Sequence, residues 1–221
     1  MLFSRLVYLF DSEPHDGALN MAIDEVLLRA ASEPILRIYR WRHRAVSFGY
    51  FGRIEEMERD WNGVELVRRW TGGGIVPHGE DFTYTLVVPR AEEFARQSAP
   101  GSYQAVHACV AKALESHLGR RAALAEAAAP KVSNACFQNP AQHDILVGAE
   151  KIAGAAQRRT QAGLLHQGSI QLSGLGEAFG GELARRFSAS VREEALTPEM
   201  LEQASALAAK KYGAETWLRR F

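Results

Sequence analysis

The chain has 221 residues, of which 47% are hydrophobic and 24% charged, and its 26 basic and 26 acidic side chains leave a formal net charge of zero. That length suits one domain with its own core, and zero net charge argues against a general nucleic-acid binder. Two cysteines, Cys109 and Cys136, give neither a disulfide framework nor a zinc site.

No apolar run reaches transmembrane length, so no membrane partner is expected. The opening "MLFSRLVYLFDSEPHDG" runs into acidic residues without a small-residue cleavage site, and is expected to be a first strand, not a signal peptide. A reduced cytoplasm and a monomer are the simplest expectations. "GALNMAIDEVLLRAA" places Leu19, Ile23, Val26, Leu27 and Ala30 on one helical face. "ILRIYRW", "AVSFGYF" and "VELVRRW" read as strands, and "FTYTLVVP" alternates until Pro89. "SYQAVHACVAKALESHLG" is an amphipathic helix with a glycine stop, and "AALAEAAAP" a small-residue connection with helical character. "DILVGAEKIAGAAQRRT" and "GLLHQGSIQLS" read as three strands joined by the turns "GAE" and "TQAG". "GEAFGGELARRF" is a short helix, and Thr197 with Pro198 supplies a cap and first turn for the next. Clustered strands with inserted helices imply an α+β fold with a mainly antiparallel or mixed sheet.

The stretch "RRWTGGGIVPH" sets three glycines behind Arg68 and Arg69. Consecutive glycines let backbone N–H groups converge on an anion or carbonyl, and a guanidinium beside them suits a carboxylate, phosphate or acyl carbonyl. A glycine-rich hairpin turn with surface arginines is the competing reading. The loop is neither a P-loop nor a dinucleotide fingerprint, because no Gly-Lys-Ser/Thr follows and a strand comes next. In "KIAGAAQRR", Lys151 precedes Ala153, Gly154, Ala155 and Ala156, a row of small residues that can floor a groove. A solvated strand lysine is the alternative. Cys109 reads as core packing. Cys136 is a nucleophile only where cations or N–H dipoles favour its thiolate. His78, His143 and His166 are candidate acid/base groups, and no metal-ligand spacing links them.

"GALNMAIDEVLL", "RRWTGGGIVPH", "DILVGAEKIAGAAQRR" and "GLLHQGSIQL", running in order from Gly17 to Leu172, together resemble the lipoate-protein ligase A and octanoyltransferase family, which shares a catalytic domain with biotin protein ligases. The resemblance implies one catalytic domain over 1–221, without a separate C-terminal accessory domain. Its sheet would be mixed or antiparallel with helices packed on one side, and an acyl tunnel would run between glycine loop and lysine strand. Arg69, Thr71, Gly72, Gly73 and Gly74 would line the pocket for the acyl head group or its adenylate, and His78 would end that loop. Lys151 would meet the acyl carbonyl or adenylate phosphate, with Gly154 and Ala155 beneath. Asn20 and Asp24 would support the site.

The family divides on chemistry. Transferases take octanoyl from acyl carrier protein through a cysteine thioester, and ligases spend ATP on a lipoyl-adenylate. "ACF" followed by "P…DI", and also "DFTYTL", resemble the cysteine-dependent octanoyltransferases, which makes Cys136 and Lys151 the implied catalytic pair. No cofactor is then required, and ATP with magnesium belongs to the ligase alternative. The donor would be acyl carrier protein or another acylated carrier. The acceptor would be the lipoyl domain of a dehydrogenase subunit or a glycine cleavage carrier. The third glycine is the departure: ligases keep it, whereas these transferases often carry a bulkier residue. A ligase, an amidotransferase between carriers and a non-catalytic acyl-binding module remain the other readings.

Overall fold

A computed structural model describes residues 1–128 and 140–221. The first strand, β1 (Leu6–His15), leads into α1 (Gly17–Ala30), whose N-terminus is capped by Asp16 accepting from the Leu19 N–H. There follow β2 (Ile35–Trp41), β3 (Ala45–Phe48), α2 (Ile54–Asp60), β4 (Glu65–Arg68), β5 (Ile75–His78) and β6 (Phe82–Pro89). Helix α3 (Ala99–Leu118) starts at the Ser98 cap and stops at Gly119, whose φ of 61° is the left-handed terminator the sequence predicts. Strands β7 (Ala123–Leu124), β8 (Ile145–Val147), β9 (Glu150–Arg159) and β10 (Gly163–Ile170) come next, then α4 (Glu177–Phe187), β11 (Val191–Glu194), α5 (Pro198–Leu207) and α6 (Glu215–Leu218). The expected Thr197 cap on α5 is present, with Thr197 accepting from the Met200 N–H.

The main sheet has the order β11-β1-β2-β6-β10-β9-β8-β7. β11, β1 and β2 are parallel, and the remaining pairs are antiparallel. The α+β class and mixed sheet thus match expectation. The helices differ in placement: they cover both faces, not one side. Successive residues of β1 explain why, since side chains alternate across a strand. Leu6 and Tyr8 join Leu36, Leu86 and Leu164 in a core roofed by α3 and α4. Val7 and Leu9 join Ile35, Val87 and Leu165 in a second core roofed by α1 and α5. Every residue of β6 and of β10 is buried accordingly.

A smaller sheet, β4-β3-β5, adds Ala45 and Val67 to the α1 core. The segment that forms β5 reads in the sequence as part of the glycine loop, but it pairs antiparallel with β3. The described part of "AALAEAAAP", residues 122–128, does not take the helical character expected of it, and the rest lies outside the described residues. Instead Ala123 and Leu124 pair with Leu146 and Ile145, because an open sheet edge offers ladder bonds that outweigh alanine's preference. Helix α2 is an addition to the expected elements, although Ile54 and Met57, three apart, are its buried pair.

Candidate active site

The small sheet and strands β9 and β10 together line a slot that is open to solvent at one side. Its walls include Met21, Trp41, Ser47, Gly73, His78 and Lys151. A bulge in β9 determines which side chains enter it. Ile145 pairs with Ala153 and Leu146 with Lys151, so Ile152 is the extra residue. Ile152 and Ala153 go to the core, while Lys151 and Gly154 both line the slot.

Lys151 is buried, and its Nζ lies 2.6 Å from Asp144 Oδ2. The same carboxylate oxygen accepts from the Ala141 N–H at 2.6 Å. A Cβ at Gly154 would stand 2.9 Å from Lys151 Cε and 3.1 Å from Asp144 Oδ1, so the ion pair occupies the space a side chain would take.

The glycine loop is organised by Arg69 from within. Its Nη2 donates to the carbonyls of Gly72 (2.9 Å) and Gly74 (3.1 Å), and Nη1 donates to Ser47 Oγ at 2.7 Å. Gly73, at φ 89°, occupies a backbone region that side chains rarely adopt, and its Cβ position is 3.6 Å from Ala156 Cβ. The loop therefore abuts the lysine strand. Ser47 Oγ also meets His78 Nε2 at 2.6 Å, and His78 Nδ1 meets Asp81 Oδ2 at 2.8 Å. The His78 ring stacks on Trp41 at 4.0 Å. Burial pushes the Asp81 carboxyl up, but His78 and the Ser169 and Gly79 hydrogen bonds outweigh it and hold Asp81 below the usual carboxylate range.

A second chain of hydrogen bonds holds the loop from α1. Thr71 Oγ1 donates to Gln167 Oε1 at 2.8 Å, and Gln167 Nε2 donates to Asp24 Oδ2 at 2.7 Å. Asp24 also accepts from Thr85 and Arg37, and Arg37 reaches Asn20 Oδ1 and Asp11 Oδ2. Every member from Asp24 to Thr71 is buried. A fully paired network of this kind fixes one arrangement of the loop.

The structure brings Arg69, Gly73, His78, Lys151, Gly154 and Ala155 together around the slot. Thr71 lies behind the wall, bonded to Gln167, and the carbonyls of Gly72 and Gly74 turn toward Arg69. Arg68 points elsewhere: it is fully buried and donates to the carbonyls of Tyr50, Gly52, Trp217 and Leu218, stapling the last helix to the small sheet. His166 faces α3 with Tyr84 and Gln157, outside the slot. His143 offers its backbone carbonyl to His107. Cys109 packs between α3 and α4, where burial pushes its thiol up, as suits a packing residue. Cys136 lies outside the described residues. Sequence reading missed Asp144, Gln167, Ser47 and Asp81. Asp81, Asp144 and Gln167 lie inside "DFTYTL", "DILVG" and "HQGS", stretches already singled out, and Ser47 lies in the strand "AVSFGYF". Among the described residues, no cluster of His, Cys, Asp and Glu could hold a metal, and no helix is long and apolar enough to cross a membrane.

A curated Oceanobacillus iheyensis protein, Octanoyltransferase LipM, is 35% identical over 173 residues, covering 74% of this chain and 63% of its own length. The chain thus spans less than two thirds of that relative. In three dimensions the chain is similar to a lipoate-protein ligase A solved with bound ATP (TM-score 0.76, 24% identity, 99% of both chains). It is also similar to the Thermoplasma acidophilum bipartite lipoate protein ligase, described with its E2 lipoyl domain (TM-score 0.72, 22% identity, 99% and 97% of the chains). At those identities the two structures establish the fold. The family description "Lipoyl protein ligase A/B catalytic domain" matches residues 16–198, and the chain belongs to that family.

Proposed function

We propose that the chain is an acyltransferase of protein lipoylation, moving an octanoyl or lipoyl group from a carrier thioester, through Cys136, to a lysine of a lipoyl domain. The observation that carries the reading is the apolar slot on which the glycine loop and the Lys151–Asp144 pair converge. The octanoyltransferase relative at 35% identity supports it. The acyl chain lies in the slot with its carbonyl toward Lys151. The Cys136 thiolate attacks that carbonyl, and the carrier thiol leaves with the proton that Cys136 gave up. The acceptor lysine amine then attacks the acyl-cysteine, an amide forms, and the thiolate regains a proton. Exchanging a thioester for an amide is downhill, so no ATP enters. Lys151, paired with Asp144, supports the oxyanion and favours the thiolate.

Arg69, with Thr71 behind it, holds Gly72, Gly73 and Gly74 against the lysine strand, and His78 closes the wall. The donor is an acyl carrier protein or another acylated carrier, and the acceptor is a lipoyl domain of a dehydrogenase or glycine cleavage carrier. The enzyme works as a monomer, and residues 1–221 act as one catalytic domain, in keeping with the core that the two sheets share.

Intact-mass measurement after mixing the protein with octanoyl-acyl carrier protein and an apo lipoyl domain, without ATP, tests the reading. An octanoyl adduct on the enzyme, then on the lipoyl domain, with both lost in Cys136→Ser, is the expected result. Modification of the domain only when free lipoate, ATP and magnesium are added would replace it with a ligase. Binding without any transfer would leave an acyl-binding module.

A further inference from the structure

His107 is a buried α3 residue on the core side of the sheet, 1% exposed. Its Nδ1 lies 2.6 Å from the His143 carbonyl oxygen. A carbonyl only accepts, so Nδ1 carries the proton, and the neutral ring leaves Nε2 as a bare acceptor. That Nε2 is buried and, among the described residues, is the one enclosed side-chain polar atom with no partner. Leaving a buried polar atom unpaired costs stability, and a leucine would fill the space without that cost. Among the described residues, the ring's one hydrogen bond is therefore the one made by Nδ1.

The carbonyl it holds is equally unusual. His143 has φ 72°, and it is the sole non-glycine residue with positive φ among those described. A left-handed residue of this kind persists where its surroundings over-determine it, and such outliers gather at functional sites. The next residue is Asp144. Its carboxylate accepts from the Ala141 N–H at 2.6 Å and meets Lys151 Nζ at 2.6 Å. Each link is short, from α3 through the strained turn to the carboxylate and the slot lysine.

We propose that His107 is a positioning residue for Lys151: its Nδ1–H pins the left-handed turn at His143 and so presents Asp144 to the lysine. The proposal rests on the reading of Lys151 as the cation of the transfer site, but its test reads the lysine itself and needs no turnover. Burial pushes the His107 imidazole below the usual histidine range, consistent with a neutral ring donating from Nδ1.

The test uses the full chain labelled with ¹³C,¹⁵N-lysine, with the Lys151 Nζ resonance assigned from Lys151→Arg and followed as a function of pH. Three variants separate donor from filler. His107→Asn places an amide N–H where Nδ1 stood, His107→Gln places it beyond, and His107→Leu has none. Losing the carboxylate partner removes a charge contact that favours the protonated amine, so each variant's midpoint is read as a difference from the wild-type chain. The expected result is a lowered midpoint in the Gln and Leu variants and a wild-type midpoint in Asn. If Leu fails to fold, the contrast between Asn and Gln decides. Midpoints at the wild-type value in all soluble variants, or an Asn midpoint displaced like the others, would overturn the proposal.

Discussion

Replacing Gly154 by alanine perturbs the slot with one carbon atom. The new Cβ would stand 2.9 Å from Lys151 Cε and 3.1 Å from both Lys151 Nζ and Asp144 Oδ1. Comfortable carbon contacts begin near about 3.5 Å, so the lysine tip must retreat by about half an ångström or more. Asp144 cannot follow freely, because the Ala141 N–H holds it, and Gly154 is fixed in register opposite Ser169. Contact therefore loosens between Nζ and Oδ2, now 2.6 Å apart. A misplacement approaching 1 Å in a reacting constellation costs up to about 100-fold in rate, so a loss of about 10-fold to 100-fold is expected. Stability should hardly move. Gly154 has no positive φ, so alanine gains about 0.4–1 kcal/mol from the unfolded chain, which offsets the crowding. With the proposed octanoyl transfer as the readout, single-turnover intact mass would give the rate, and urea unfolding the stability. A Gly154→Ala protein transferring at the wild-type rate would refute the argument that this glycine exists to make room for the ion pair.

The same exchange at Gly168 should give the opposite outcome. Its Cβ would fall 2.2 Å from the buried Tyr84 ring, which has no room to retreat, so a loss of about 3 kcal/mol in urea unfolding is expected. Acidification supplies another test. Burial pushes His107 and His166 below the usual histidine range, so they stay neutral in the folded protein while the unfolded chain takes up protons. Stability should be full above pH ~6.5 and fall as pH drops toward their folded values, by at most about 1.4 kcal/mol per pH unit for each. Urea midpoints between pH 7 and 5 would show the slope, and His107→Asn should remove one histidine's share. A flat profile would contradict neutral burial.

Local chemistry makes much of the fold legible. Thr197 with Pro198 begins one helix and Gly119 ends another for reasons contained in a few neighbouring residues, whereas the Ser98 cap, four residues before the expected start of α3, was not read. The β9–β10 hairpin follows from the turn residues "TQAG" between two strand-like runs, and the glycine loop and Lys151 stand out by residue type and spacing alone. β11 escapes notice because "VREE" is a short edge strand that alternates weakly and buries little. Arg68 and Arg69 are neighbours of the same type, yet one staples carbonyls of the last helix and the other organises the glycine loop. Strand alternation sends them apart, but what each meets comes from distant parts of the chain.

Sequence alone determined the residue types, their spacing and the family resemblance, because those depend on local propensity and short motifs. Tertiary structure decided that helices cover both sheet faces, that Ile152 bulges so Lys151 and Gly154 share a side, and that Asp144 meets the lysine. It also joined Thr71 to Asp24 through Gln167. These are contacts between residues far apart in the chain, consequences of a single-residue register shift, or, for Asp144 and Lys151, a meeting across the β8–β9 turn. A strand's period of two cannot reveal that shift, because one extra residue moves every later side chain to the other face.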